Sequence, residues 1–276
     1  MEKKKISIRK GTVQETLLIT LYARSKESLR SSPIINDQYA NQIINQIDYD
    51  FSIFDRDWAT SLGVVVRTKI IDELVLDFII MNPNATIINL GAGMCTRFFR
   101  VDNGSIHWYD LDLPEVTTFK IQFFSENDRY HFIPKSVFDL SWFEDILIKE
   151  KIESFKNRPV LIIAEGLFYY FKGEEVKKVF DEFLNQLTTA EIILEVAHPL
   201  MIKLADIYSS IKISGSKFHW GVGNKKYFSH WNPRFELINE YSIYKRYKKR
   251  WKLYAGLNII PIMSRLLRVA HLRLNP

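Results

Sequence analysis

A single cysteine, Cys95, stands in a chain of 276 residues, which excludes an internal disulfide and any zinc cluster built on several cysteines. No metal ligand set is expected, and a reducing compartment fits so little cysteine. No stretch approaches the roughly 20 uninterrupted apolar residues needed to cross a bilayer. The start Met1-Glu-Lys-Lys-Lys-Ile-Ser7 lacks the apolar core of a secretion signal, so a cytoplasmic location is the expectation. Acid is missing where base is densest: residues 241–276 carry nine Lys/Arg and no Asp or Glu, and residues 1–10 carry five Lys/Arg against one Glu. The stretch between them is therefore net acidic although the whole chain is +6, and the basic balance says little about a site in the middle. No internal repeat or low-complexity linker appears. A hydrophobic content of 47% at this length suits one α/β domain with insertions.

What is present is a run, Thr86-Ile-Ile-Asn-Leu-Gly91-Ala-Gly93-Met-Cys-Thr-Arg97, followed by Ser105-Ile-His-Trp-Tyr-Asp110-Leu-Asp112. It reads as strand, glycine turn, helix start, and a second strand ending in acid. Two glycines at the carboxyl end of a buried strand let bare backbone approach a ligand, and the exposed amides become a binding surface. Asp110 follows Gly91 by nineteen residues, the distance that places a carboxylate beside ribose hydroxyls. A nucleoside cofactor is implied, with NAD as the competing ligand. Against NAD, the third position of the dinucleotide glycine pattern is Thr96. Cys95 lies inside the turn, where a small side chain packing under the loop is a commoner use than redox control.

Residues 14–48 show helical periodicity through Leu17, Leu18, Leu21 and Tyr22, a break at Ser31-Ser-Pro33, and a second helix through Tyr39, Ile43, Ile44 and Ile47. Arg67–Met81 repeats that period until Asn82-Pro83-Asn84. Further strands are expected near Ser105–Tyr109, Tyr130–Ile133, Val160–Ala164 and Ile192–Val196, with a helix over Glu174–Leu187. Strands alternating with helices predict a mainly parallel sheet, whose ligands bind beyond the strands' carboxyl ends. Gly91, Asp110, Asp139 and Glu165 all fall there.

Four segments together resemble the leucine carboxyl methyltransferase and tetracenomycin-type polyketide O-methyltransferase family. They are Val66-Arg67-Thr68-Lys69-Ile70-Ile71-Asp72, Asn89-Leu-Gly-Ala-Gly93 with Thr96-Arg97, Trp108-Tyr-Asp-Leu-Asp-Leu-Pro114, and Ala164-Glu-Gly-Leu-Phe-Tyr-Tyr170. The resemblance covers about residues 15–235 and is strongest from Arg67 to Tyr170. It implies a Rossmann-like methyltransferase fold with helices on both faces of the sheet and an amino-terminal helical cover, and it implies S-adenosyl-L-methionine as cofactor. By position, Arg67 resembles the arginine that pairs with the cofactor carboxylate, a task suited to a planar fork of donors. Gly91 and Gly93 would pass beside the methionyl part. Asp110 resembles the ribose acid, while Asp112 either shares that role or caps the helix near Pro114. Asp139 and Leu140 resemble the pair at the adenine, with helix capping as the alternative for Asp139. Glu165 would stand close to the cofactor's charged groups. The family's amino-terminal lysine has no aligned counterpart, and Arg24 or Lys26 are the substitutes on offer.

The acceptor side is less determined. A carboxylate acceptor needs no base, whereas a hydroxyl needs its proton removed, and His198, His219 and Asp206 are candidates. Tyr169 and Tyr170 are further weak catalytic candidates, one facing the acceptor and the other the core. Trp220, in Lys217-Phe-His-Trp-Gly-Val-Gly223, either walls an acceptor or packs the insertion. The chain divides into a cover (about 1–66), a cofactor-binding core (67–196), an insertion or lid (197–235) and a basic terminal segment (236–276). In the last, Tyr241-Ser-Ile-Tyr-Lys-Arg-Tyr-Lys-Lys-Arg250-Trp-Lys252 reads as a strand edge guarded by lysines or as a surface for phosphates or anionic lipid. The reading is an O-methyltransferase for a small molecule with a carboxyl or hydroxyl group, a polyketide or other secondary metabolite. A protein carboxyl-terminal methyltransferase and a cofactor-binding membrane-associated protein are the alternatives, and no nucleic-acid partner is expected.

Overall fold

The computed structural model describes residues 5–8, 13–152, 155, 158–204, 217–252 and 261–276. Two short strands, β1 (Ile6–Ser7) and β2 (Ile47–Asp48), form a parallel pair. The main sheet comprises β3 (Thr86–Leu90), β4 (His107–Asp112), β5 (Tyr130–Pro134), β6 (Val160–Ala164), β7 (Ala190–Ala197), β8 (Phe235–Ser242) and β9 (Leu267–Leu274). Their order in space is β5-β4-β3-β6-β7-β9-β8. The first five are parallel, and β9 runs antiparallel to both its neighbours. The expected mainly parallel Rossmann-like sheet is therefore present, closed at one side by an antiparallel pair.

Covered on both faces, β3 and β6 are buried along their whole length, and that burial explains their near-continuous apolar runs. Alternate side chains divide between two cores. Ile87, Trp108, Leu161, Ile163 and Ile193 point to the face packed by α3 (Trp58–Met81) and the amino-terminal helices α1 (Val13–Ser28) and α2 (Gln38–Ile44). Ile88, Leu90, Ile162 and Leu194 point to the other, packed by α6 (Trp142–Glu150) and α7 (Gly173–Gln186). Each such aliphatic side chain contributes roughly 1.5–3 kcal/mol by leaving water.

α3 begins nine residues before the expected Arg67 start, because Asp57 caps it by accepting from the Thr60 amide at 3.2 Å. Val64, Val65 and Val66 are all buried, so this stretch shows no single apolar stripe for periodicity to detect. The cover breaks after α1, and α2 starts where the Asp37 carboxylate accepts the Ala40 amide.

The terminal basic segment is part of the fold. Its first residues lie in β8, and its last form β9, which inserts between β7 and β8. Between them Arg246 pairs with Glu73 of α3, and Arg250 pairs with Glu27 of α1 at 2.6 Å. Trp251 is buried against Gly63, and Lys252 lies over the Trp58 ring at 5.1 Å. The segment thus straps the helical cover, leaving Lys245, Lys248 and Lys249 exposed. No helix among the described residues is long and apolar enough to cross a membrane.

Candidate active site

At the carboxyl end of β3 the chain turns through Gly91 (φ 59°) and Gly93 (φ 48°), left-handed conformations that any Cβ would strain. A Cβ on Gly91 would lie 2.7 Å from a Leu167 methyl, and one on Gly93 would lie 2.9 Å from a Leu17 methyl. Bare backbone therefore meets apolar side chains from the cover and from the loop after β6. The Ala92 amide donates to the Leu111 carbonyl, and the Gly93 amide donates to Asp112 Oδ2 at 2.6 Å. The turn is fixed against the end of β4. Cys95 is half-buried beside the Arg97 guanidinium, and its carbonyl accepts from Lys120.

The two acids of β4 have separate surroundings. Asp110 is buried and receives four donors, with Asn89 Nδ2 (2.7 Å) and Trp108 Nε1 (2.8 Å) on Oδ1, and Lys120 Nζ (2.5 Å) and Tyr130 OH (2.7 Å) on Oδ2. A carboxylate offers about four lone-pair positions, and at Asp110, expected beside the ribose, protein donors take all four. In this arrangement it anchors Lys120, which in turn holds the Cys95 carbonyl under the glycine turn. Asp112 is two residues on, on the same side of the strand but at its very end. Among the described residues its oxygens accept only the Gly93 and Leu113 amides, and burial raises its carboxyl above the ordinary value despite those amides. Its partners make Asp112 the acid of the glycine turn.

Arg67, from the middle of α3, reaches the strand ends and bridges two carboxylates. Nε donates to Glu165 at 2.8 Å and Nη1 to Glu195 at 2.7 Å. Nη2 donates no hydrogen bond among the described residues and lies beside Gly166, where a Cβ would approach it to 3.3 Å. Glu165 is also held by Thr68 and, at 2.6 Å, by Arg97. Burial alone would raise its carboxyl, but Arg97 and Arg67 outweigh that and keep it well below the usual range. The chain of ion pairs continues from Arg97 to Asp72, from Asp72 to Arg100, and from Arg100 to the fully buried Asp37. Asp37 also accepts Arg24 Nε at 2.9 Å, and Arg24 Nη2 donates to the Met94 carbonyl at 2.6 Å. Arg24 thus adds a polar contact from the cover to the glycine turn, beside the apolar one from Leu17. Lys26 instead pairs with exposed Asp55.

After β5, Asp139 is exposed and accepts the Ser141 hydroxyl and amide, which hold its carboxyl below the ordinary value. The side chain that precedes α6 directly is Ser141, so Asp139 closes a local turn through Oδ1, and its other oxygen accepts no hydrogen bond among the described residues, next to half-buried Leu140. Tyr169 is buried with its hydroxyl on Glu195 at 3.2 Å. Tyr170 is half-buried, its ring 5.3 Å from Phe218. With Met201 and Leu266 these aromatics form a small apolar cluster at the ends of β6 and β7, apart from the two sheet cores.

The histidines lie in the segments that flank this cluster. His198 Nδ1 accepts the Leu200 amide at 3.1 Å and so caps α8 (Pro199–Leu204). That uses the lone pair and leaves the proton on Nε2, and burial together with Arg268 and Arg265 lowers its pKa. A base it is not in this arrangement. His219 is exposed, with its amide on the Tyr169 carbonyl. Trp220 is buried, donates to Tyr227 OH at 2.9 Å and stacks on Trp231, so it packs the insertion and walls no open site. Asp206 lies outside the described residues.

Sequence reasoning passed over Glu195 and the linking pairs Asp37–Arg100 and Asp72–Arg97. The signal for Glu195 was one acid within the apolar run of β7, buried at 1% exposure, where an unpaired charge is costly. Two left-handed glycines, an acid fixed to their amide and a guanidinium with an open edge are suited to an amino-acid nucleoside such as S-adenosylmethionine. The donors and acceptors match its carboxylate and hydroxyls.

Comparison with known proteins agrees. The family model described as leucine carboxyl methyltransferase matches residues 17–184. The tetracenomycin polyketide synthesis O-methyltransferase TcmP of Streptomyces glaucescens is 28% identical over 273 residues, covering 96% of each chain. An S-adenosyl-L-methionine-dependent methyltransferase, dpfgK, of Gibberella zeae is 29% identical over 75% of this chain and 74% of its own. Among solved structures, a putative methyltransferase from Thermobifida fusca superposes with a TM-score of 0.57 at 15% identity, covering 92% of this chain and 94% of that one. A DUF574-family protein from Streptomyces avermitilis gives 0.61 at 11% identity, covering 95% and 97%. At such identities the structures speak for the fold.

Proposed function

The chain belongs to the leucine carboxyl methyltransferase family and is an S-adenosyl-L-methionine-dependent methyltransferase, and from that premise we propose that it methylates a carboxyl or hydroxyl oxygen of a small molecule. The observation that carries the site assignment is the convergence of Arg67, the Gly91–Gly93 turn, Asp112 and Glu165 on one edge of the sheet. In this reading Arg67 takes the cofactor carboxylate on its open edge, and Gly91 and Gly93 border the methionyl part. Asp112 accepts the ribose hydroxyls, and Asp139 with Leu140 meets the adenine. S-adenosylmethionine would supply an electrophilic methyl group, whose carbon would bond to the in-line acceptor oxygen as its bond to sulfur breaks and S-adenosylhomocysteine leaves, so positioning provides most of the catalysis. Arg67 and Arg97 keep Glu165 ionised, and Glu165 keeps Arg67 oriented. The acceptor site is assigned to the Tyr169, Tyr170, Phe218 and Met201 cluster beside this carboxylate pair.

His198 has its Nδ1 lone pair on the Leu200 amide and His219 is exposed to water, which favours an acceptor that is already ionised, a carboxylate or an acidic phenol. The name of the Streptomyces glaucescens relative supports a polyketide-like acceptor. The test is transfer of labelled methyl into aromatic carboxylic acids and phenols, run beside a peptide ending in leucine. Transfer to the small molecules alone supports the proposal. Transfer to the peptide alone overturns it in favour of a protein substrate.

A further inference from the structure

Arg67 has two glutamates and only one of them has other cationic support. Glu165 is held by both Arg67 and Arg97, whereas Glu195 has Arg67 and the Tyr169 hydroxyl. Both carboxylates lie at adjacent strand ends, since Ala164 and Leu194, the residues before them, are register partners in β6 and β7. On the proposed reading a third carboxylate, that of the cofactor, docks on the same guanidinium. Three anions then share Arg67 in a buried site, and the Coulomb attraction that kept Glu195 ionised is divided. Glu165 has Arg97 to fall back on, and Glu195 has no second cation among the described residues. The groups facing Glu195 are Arg67 from α3, Glu165 from the end of β6, and Tyr169 and Tyr170 from the turn after it; its β9 register partner is apolar Val269.

We infer that Glu195 is a proton-exchanging counter-ion of Arg67, which pairs with the guanidinium in the free protein and takes up one proton from solvent when a ligand carboxylate comes to share that guanidinium. The inference rests on the proposed cofactor reading. Its chemistry balances simply: one O–H bond forms on Glu195, and buffer acid loses that proton. Burial, with Glu165 adding to it, already raises the Glu195 carboxyl in the free protein against the pull of Arg67, so only part of the step remains to be made on binding. The sign follows. A site that binds ligand and proton together binds ligand more tightly as pH falls, by up to about tenfold per unit for one proton. Glu195 would thus be a positioning residue, setting the charge of the Arg67 site without touching the reacting atoms.

The experiment is calorimetric titration of the full chain with S-adenosylhomocysteine in buffers of differing ionisation enthalpy, between about pH 5.5 and 8.5. Expected is proton uptake of up to one per site in the wild-type protein and none in Glu195→Gln, which still binds and shows a flat affinity against pH. Tyr169→Phe removes a hydrogen bond from ionised Glu195 and is expected to move the uptake to higher pH. Should Glu195→Gln fail to fold, the wild-type series and Tyr169→Phe still decide the matter. Absence of uptake in the wild type, or equal uptake in Glu195→Gln, overturns the inference while the cofactor reading stands. Failure of the wild type to bind S-adenosylhomocysteine at all overturns the cofactor reading and the inference with it.

Discussion

The two carboxylates of β4, Asp110 and Asp112, are the same residue type two positions apart on one side of one strand, yet they perform unlike tasks. Asp110 has four donors and lies within the sheet, while Asp112 lies past the last paired position of β3 and has only backbone partners. The difference teaches that a motif acid is assigned by what already occupies its lone pairs. The same contrast recurs across the cleft. The proposed cofactor side is a balanced lattice of Arg24, Arg67, Arg97 and Arg100 with Asp37, Asp72, Glu165 and Glu195, fixed by directional bonds. The proposed acceptor side is a cluster of aromatic, Leu and Met side chains, which repacks at far lower cost.

The sharpest way to break the first comparison is to delete each acid. Asp110→Ala leaves the Lys120 ammonium buried without its counter-ion, and a loss of about 3–5 kcal/mol of stability is expected in denaturant unfolding. Asp112→Ala strands no buried cation. It is expected to keep near wild-type stability and to weaken S-adenosylhomocysteine binding by roughly tenfold to a hundredfold, the worth of a charge-assisted hydrogen bond. The reverse pattern would return the ribose role to Asp110. Arg67→Met tests the lattice in the same way. Glu165 retains Arg97 and Glu195 can take up a proton in place of its cation, so the fold should survive, while affinity falls about a hundredfold, as for one truncated partner of a buried charge pair.

How much of this was legible in the chain follows the same division. The glycine turn is visible because backbone conformation restricts residue type, Glu165 by its place at a strand end, Arg67 through the family resemblance, and the parallel sheet in the apolar runs of β3 and β6. Asp110 and Asp112 were not separable, because strand periodicity places both on one side and only the pairing with β3 shows which lies beyond the sheet. Glu195 was hidden because its partner Arg67 is 128 positions away. The strap from Arg246 to Lys252 read as a lysine-guarded edge or an anion-binding surface for the same reason: Glu27 and Glu73, which pair with two of its arginines, belong to distant parts of the chain. Trp220 read equally as a wall or as packing, because its contacts with Trp231 and Tyr227 are set by the fold of the insertion.

On the acceptor side, Phe218→Ala removes a ring that touches both Tyr169 and Tyr170. The expected result is a rise of about tenfold in acceptor KM with unchanged S-adenosylhomocysteine affinity, since a partly buried aromatic contributes roughly 1.5 kcal/mol. Equal losses in both would merge the two halves of the cleft into one unit.

The smallest expected effect distinguishes a cap from a catalyst. His198 accepts the Leu200 amide through Nδ1, so His198→Ala should remove about 0.5–1 kcal/mol of helix capping and leave kcat within about threefold. Its pH behaviour gives the sign. Burial, then Arg268 and Arg265, depress its pKa below the ordinary 6.5, so the stability it contributes is fully present above that value and is lost as pH falls through the depressed one. Thermal unfolding between about pH 7 and pH 5 should therefore fall less steeply in His198→Ala than in the wild type, with the acid limb of the pH–rate profile unmoved. A general base would show the opposite, with the acid limb of the rate profile abolished and the stability slope unchanged, and it would carry His198 across the cleft from the scaffold to the chemistry.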